Sequence, residues 1–172
     1  RRIKDTELQL SVAARKIRDL EREQGAGESV IQKYMGGVAF VEITYTFEDK
    51  AGNRIRFLSV DASGEPVRDA TGEAPISVQG QGPVVYIRSS GTGFTIGAGK
   101  MLTNRHVAEP WWEQEAVKPF FDSGLRPVRV LFRAFFPGIK EPFSLRTHRS
   151  SDKADVALLR FDQRGIKFPV LN

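Results

Sequence analysis

The sequence predicts an all-β protein built as a barrel or a sandwich, and three observations lead to this fold class. Short stretches of the chain alternate hydrophobic and polar residues with a period of two, which is typical of half-buried strands. Clusters of Gly, Asp, Asn, Ser and Pro separate these stretches, as turns do in all-β proteins. A length of 172 residues and a hydrophobic content of 40% fit one packed domain with an appendage.

The first predicted segment, residues 1–26, is an amphipathic or coiled-coil-like helix. Ile3, Leu10 and Ile17 recur every seven residues, with apolar residues at complementary positions and charges elsewhere. A short helix packed on its own domain and the end of a longer stalk both fit this pattern, because a coiled coil needs three or four heptads. Glycines from position 25 onward end the helix.

The second segment, residues 27–82, is predicted to be a β-hairpin followed by an exposed loop. Its first strand has one hydrophobic face: Ala39, Val41, Ile43, Tyr45 and Phe47. Residues 49–53 have turn chemistry, and residues 55–59 alternate again, so we expect the second strand there. Residues 61–82 are rich in Gly, Asp, Ser and Pro, which is typical of a loop.

The third segment, residues 83–172, holds the remaining strands and is predicted to be the barrel. Strand patterns occupy residues 84–88, 93–96, 101–103, 128–136, 143–147 and 155–161. In the longest of them, hydrophobic residues at every second position from Val128 to Phe136 share one face, so Arg129 and Arg133 are predicted to face solvent.

Charge and composition exclude several classes of function. The net charge of +5 comes from residues 126–172, which hold 10 basic and 4 acidic side chains. Basic residues among aromatic ones are typical of single-strand binders, but the phenylalanines of the long strand share its core face, so we expect no nucleic-acid partner. Cys is absent, which excludes disulfides and thiolate chemistry. No run of about 18 apolar residues occurs, so a membrane would be reached only through a segment outside this chain.

Two segments carry candidate catalytic residues. Residues 102–107 read Leu-Thr-Asn-Arg-His-Val and follow Gly-Thr-Gly-Phe at 91–94, so His106 lies where a strand turns into a short helix before Pro110. Residues 155–159 read Asp-Val-Ala-Leu-Leu, which places an acid at the mouth of a buried strand. An unpaired charge there is costly, so we expect Asp155 to be buried with a partner. The other histidine, His148, has no patterned partner.

Both segments resemble those of trypsin-like (chymotrypsin-fold) serine peptidases, especially the HtrA-type bacterial branch. The resemblance covers residues 83–172 and implies the first Greek-key β-barrel of a double-barrel fold, with the N-terminal helix and the hairpin as additions. It implies that His106 is the general base and that Asp155 orients it, and the order His before Asp is that of this fold. Gly91 and Gly93 would permit tight backbone geometry where the strands bend.

The nucleophile is expected downstream of this chain. In this family the serine lies in a Gly-Asn/Asp-Ser-Gly-Gly segment of a second barrel, and no serine here has such neighbours. Since the chain opens at Arg1 without an initiator Met, we expect both ends to be cuts in a longer protein and this part alone to be inactive. The resemblance implies a peptide substrate, a second barrel as partner, no cofactor or metal, and the periplasm or cell envelope, with the cytoplasm left open. The alternative is a non-catalytic, pseudopeptidase-type barrel that binds proteins.

Overall fold

The computed structural model describes residues 28–170 and Lys16. Apart from Lys16, the helix predicted for residues 1–26 lies outside the described residues. Residues 28–34 are helical (α1), and a 3-10 turn, Met35–Gly37, leads into the first strand. None of the described helices is long and apolar enough to cross a bilayer.

Nine strands and two further short helices lie within residues 28–170. The strands are β1 (Val38–Glu48), β2 (Arg56–Phe57), β3 (Ile76–Ser77), β4 (Ile87–Gly97), β5 (Lys100–Thr103), β6 (Arg126–Phe135), β7 (Phe143–Ser144), β8 (Arg146–Ser150) and β9 (Ala157–Arg160). The helices are α2 (Arg105–Ala108) and α3 (Lys118–Asp122), and a 3-10 turn, Glu115–Val117, precedes α3.

Seven of these strands form one strongly curled antiparallel sheet, which confirms the mostly-β prediction. Their order is β7-β6-β1-β4-β5-β9-β8, whereas β2 and β3 make a separate two-stranded sheet. Only Leu145 separates β7 from β8, although they occupy opposite ends of this order. One continuous stretch of chain therefore pairs with β6 at its start and with β9 at its end, which gives the sheet its half-barrel curl.

The predicted boundary at residue 82 does not divide the large sheet. β1 lies between β4 and β6 and pairs with both along most of its length. Its predicted hydrophobic face is buried, and Phe47, Ile43 and Val41 are fully enclosed. Residues 38–48 are therefore a central strand of the main sheet rather than part of an extension.

The predicted hairpin forms its turn but not its second strand. After the turn, the backbone N–H of Ile55 still donates to the carbonyl of Phe47 over 2.9 Å. The chain then departs, and Arg56 and Phe57 pair with β3. The second strand was predicted beside β1, but β4 and β6 occupy both edges of β1, so the chain has to pair elsewhere.

The turn of this hairpin is one of three turns with the same hydrogen-bond pattern, and the other two were not predicted from the sequence. Asp49, Asp61 and Asp69 each begin an Asp-x-x-Gly-x loop in which the Asp Oδ1 accepts backbone N–H groups two and four residues later. The glycines have φ of 86°, 88° and 84°, a left-handed conformation that favours Gly. Two of these turns lie within the exposed loop of residues 61–82 and give it local structure.

A β-bulge in β6 changes the neighbours of Arg129. Thr44 of β1 pairs with Leu131, but Tyr45 pairs with Arg129, so Val130 has no partner in the ladder. The extra residue reverses the alternation: Val130 is 44% exposed, and Arg129, which is exposed as predicted, lies over the ring of Trp111 at 4.9 Å. Arg133, beyond the bulge, lies on the outer face as predicted, where it pairs with Glu42.

The core consists of two clusters that meet at Trp111. The larger fills the curl of the sheet, and at one end four phenylalanine rings pack with centroids 4.2 to 5.7 Å apart: Phe136, Phe143, Phe161 and Phe168. The smaller surrounds Tyr45 and Phe47 beneath α3. The larger cluster includes residues of β5, which precedes His106, and of β9, which follows Asp155, so both strands are packed into the core.

Candidate active site

His106 lies on α2, the single helical turn that follows β5. Asn104 ends the strand in an extended conformation (φ −70°, ψ 148°), and its carbonyl accepts the backbone N–H groups of Val107 and Ala108. Val107 is buried against Gly91 of β4, where a Cβ would lie 2.3 Å from the Val107 Cγ2 atom. Gly91 is therefore required because helix and strand touch there, whereas the sequence analysis assigned it to a bend.

The structure brings His106 and Asp155 together across 49 residues of chain. The Nδ1 atom of His106 lies 2.6 Å from Oδ2 of Asp155. The backbone N–H of His106 also donates to Oδ1 of the same carboxylate over 2.9 Å. Two contacts from one residue hold the carboxylate beside the imidazole and restrict the direction in which the ring points.

Asn104 is a third member of this group, and the sequence analysis did not assign it a role. Its Nδ2 atom lies 3.1 Å from Oδ2 of Asp155 and 3.3 Å from the backbone carbonyl of the same residue. The signal was present in the sequence, because Asn104 stands two residues before His106 where a polar side chain leaves the strand. A side-chain amide there can donate to the same carboxylate oxygen that the imidazole contacts.

The electrostatic environment favours the ionised form of Asp155. Loss of solvent raises the pKa of this carboxyl, but the hydrogen bonds from the His106 backbone and ring and from the Asn104 amide, with the charge of His106, outweigh that effect. The pKa of Asp155 therefore lies below its ordinary value. Since an ionised carboxylate only accepts hydrogen bonds, the proton between the two side chains belongs to Nδ1 of the ring.

The pair is more open to solvent than the sequence suggested. The side chains of His106 and Asp155 are 53% and 36% exposed, although Asp155 was expected to be buried. The acid lies in the loop before β9, and only Ala157, two residues later, enters the core. The second histidine, His148, is exposed in the irregular middle of β8.

A groove with mixed walls includes residues on both sides of Asp155 in the chain. It has a volume of about 380 Å³, and Leu102, Val156 and Leu158 give it apolar surface, whereas its polar lining consists of Arg149, Ser150, Ser151, Asp152 and Lys153. Val156 is 45% exposed. Among the described residues, no serine hydroxyl is hydrogen-bonded to the His106 ring, and no group of three or more His, Asp or Glu side chains is arranged to hold a metal ion.

Comparisons with known proteins give one structural likeness. No protein-family model and no curated protein sequence matches this chain. Fifteen chains of solved structures match it, among them an HtrA-type protease, AlgW, with a decapeptide. That match has 14% sequence identity and a TM-score of 0.41, and it covers 83% of this chain and 34% of the protease. The chain thus spans about a third of the length of that structure.

Proposed function

We propose that His106 and Asp155 are the general base and the orienting carboxylate of a trypsin-like serine peptidase of the HtrA-type bacterial branch. The observation that carries this proposal is the contact of 2.6 Å between Nδ1 of His106 and Oδ2 of Asp155. The sequence motifs around both residues lead to the same pair independently of the coordinates. In this proposal the sheet is the first Greek-key barrel, and a second barrel outside these residues supplies the nucleophilic serine.

The tautomer explains how the ring would act. With the proton on Nδ1 donated to Asp155, the lone pair of Nε2 is free to accept a proton from a serine hydroxyl. A hydroxyl is a weak nucleophile at its own pKa, so this transfer during attack on a peptide carbonyl is what activates it. The same Nε2–H then protonates the leaving amine, and water releases the acyl group by the reverse sequence.

Asp155 would act without exchanging the proton itself. Transfer to Nε2 makes the ring an imidazolium, and the adjacent carboxylate stabilises that positive charge. The hydrogen bonds from the His106 backbone and from Asn104 keep the carboxylate ionised and aligned while the ring changes charge. An acid in this position must remain an acceptor in every step, which its lowered pKa favours.

The surroundings fit an additional domain that covers the cleft. Val156 and Leu102 contribute apolar surface to a groove whose other walls are largely polar, and exposed apolar surface rimmed by polar residues is of the kind that marks an interaction site. The serines nearest to the pair in sequence are engaged elsewhere, because Ser150 Oγ donates to Glu109 and Ser151 Oγ accepts two backbone N–H groups. A second barrel, a peptide substrate and a location in the cell envelope belong to this proposal.

The test is labelling by a serine-reactive phosphonate in a longer protein that continues past Asn172 into the second barrel. We expect wild type and a His148→Ala variant to label at similar rates, and His106→Ala to label at least ~10³-fold more slowly. Equal labelling of wild type and His106→Ala would refute the assigned base. Absence of labelling in a folded wild type would instead support a non-catalytic, protein-binding barrel.

A further inference from the structure

We propose that Arg105 and Glu109 are positioning residues that fasten the His106 helix to the Asp155 loop and so set the distance within the catalytic pair. This inference rests on the proposed function, because it assigns these side chains a role in the same reaction. Neither side chain touches the imidazole or the carboxylate of the pair. They act through the backbone that carries those groups.

Helix α2 cannot hold its own position. It comprises four residues, and Asn104 at its N-terminus makes no side-chain capping bond. Isolated helices shorter than about 12–15 residues are marginal in water, so a single turn takes its orientation from tertiary contacts. The contacts that fix α2 therefore also fix where the His106 ring can point.

Arg105 joins the two catalytic segments directly. Its guanidinium donates through one terminal nitrogen to the backbone carbonyl of Ser151 over 2.7 Å and through Nε to Glu109 over 2.9 Å. Ser151 begins the loop that leads to Asp155. The backbone N–H of Ser151 donates to the carbonyl of Val156, the residue after Asp155. The side chain of Arg105 is only 18% exposed and lies 4.7 Å from the Trp112 ring, which limits its freedom further.

Glu109 holds the opposite end of the helix. Its Oε1 accepts the hydroxyl of Ser150 over 2.9 Å and lies 3.7 Å from the guanidinium of Arg129, while Oε2 is bound by Arg105. Arg129 in turn donates to the carbonyl of Ala108, the last residue of α2, over 3.1 Å. The bulge at Val130 is what aims Arg129 at this point. The carboxylate thus connects α2 with both β8 and β6.

A second Arg–Glu ion pair, Arg133 with Glu42, can serve as a control because neither side chain is hydrogen-bonded to α2 or to the Asp155 loop. Arg133 donates from Nε and a terminal nitrogen to Glu42, at 3.1 and 2.9 Å, across β1 and β6. The side chains of Arg133 and Glu42 are 34% and 25% exposed, whereas those of Arg105 and Glu109 are 18% and 19% exposed. Both pairs stabilise the same sheet, but only one is attached to α2. A comparison between them separates positioning from general stability.

The experiment compares Arg105→Lys with Arg133→Lys. Lysine keeps the charge but lacks the planar fork that reaches two acceptors at once. In the 172-residue chain, two-bond 1H–15N spectra report the His106 tautomer. We expect Nδ1–H alone in wild type and Arg133→Lys, and a mixture of tautomers in Arg105→Lys. In the longer protein, we expect Arg105→Lys to lower kcat about 10- to 100-fold with KM unchanged, as small misplacements of reacting groups do.

The proposal is overturned if Arg105→Lys keeps both the wild-type tautomer and the wild-type kcat while His106→Ala abolishes activity. Retained activity in His106→Ala would refute the proposed function instead, so the two failures are distinguishable. If Arg105→Lys does not fold, Glu109→Gln replaces it, because glutamine still accepts from Ser150 but no longer pairs with two guanidinium groups. The same mixed tautomer is then expected, and a wild-type spectrum overturns the proposal.

Discussion

Replacement of Gly91 by alanine tests the contact that places α2. A Cβ at position 91 would lie 2.3 Å from Cγ2, 2.9 Å from Cγ1 and 3.2 Å from Cβ of Val107. Ordinary carbon contacts lie at about 3.5–4.0 Å, so Val107 would have to move by more than ~1 Å. Val107 is 3% exposed, so it can move only by displacing the core residues around it.

The expected cost follows from two opposing effects. Overpacking a core costs about 1–3 kcal/mol, and alanine regains about 0.5–1 kcal/mol over glycine inside a strand. The difference spans about 0–2.5 kcal/mol, and because the approach of 2.3 Å is severe we expect Gly91→Ala to lower the free energy of unfolding by about 1–2.5 kcal/mol, which for a chain of this size is about 2–10 °C in Tm. Thermal unfolding followed by circular dichroism measures this shift.

Two further variants show whether the contact with Val107 is the cause. Gly36→Ala should leave Tm unchanged or slightly raised, because a Cβ there would lie 3.5 Å from the Pro169 ring, an ordinary contact. In a Val107→Ala background, Gly91→Ala should cost much less, since both Cγ atoms are gone. A Tm for Gly91→Ala equal to wild type, or an unchanged cost in the Val107→Ala background, would refute the reasoning.

Three other outcomes follow from the site and the turns. Asn104→Ala should lower kcat of the longer protein about tenfold by removing one donor to an ionised group, and a wild-type rate would exclude that role. Asp155→Asn should lower kcat about 10⁴-fold, because the amide donates to Nδ1 and moves the His106 proton to Nε2; a smaller loss than that of Asn104→Ala would contradict it. Asp61 and Asp69 have pKa values below the ordinary one, through the hydroxyl two residues later and the backbone N–H groups around it. Because the folded-state pKa is depressed, each carboxylate stabilises the fold at pH values above the unfolded pKa of about 3.9, and this stabilisation is lost as the pH falls through the folded-state pKa. The Tm of a variant with Asp61→Ala and Asp69→Ala should therefore fall less than that of wild type as the pH is lowered below about 4. An equal fall in Tm would refute this.

The strands that could be predicted are those whose hydrophobic residues alternate without interruption. β1 has its predicted buried face, although residues 43–47 are all buried, because the extra residue of the bulge lies in β6 and leaves the pleat of β1 itself intact. β4 was predicted as two pieces, residues 84–88 and 93–96, with residues 89–92 left between them. In the structure it runs unbroken as Ile87–Gly97, because the ladder to β1 supplies partners for residues with weak strand propensity.

The features that could not be predicted depend on a neighbouring strand or on distant contacts. The bulge at Val130 has no local signal, yet it brings the guanidinium of Arg129 to the carbonyl of Ala108 at the end of α2. The two candidate residues could be predicted from their motifs, but the Arg105 and Glu109 contacts join segments 41 and 46 residues apart in the chain. Periodicity reports on one segment at a time, so such contacts are visible only in three dimensions.

The most direct test of the account is the protonation of the His106 ring in the 172-residue chain. In the neutral form of the ring one nitrogen carries the proton and the other is bare, and 15N shifts distinguish the two. The account predicts a proton on Nδ1 and a bare Nε2 for His106, beside mixed tautomers for the exposed His148. A proton on Nε2 of His106, or a spectrum like that of His148, would contradict it.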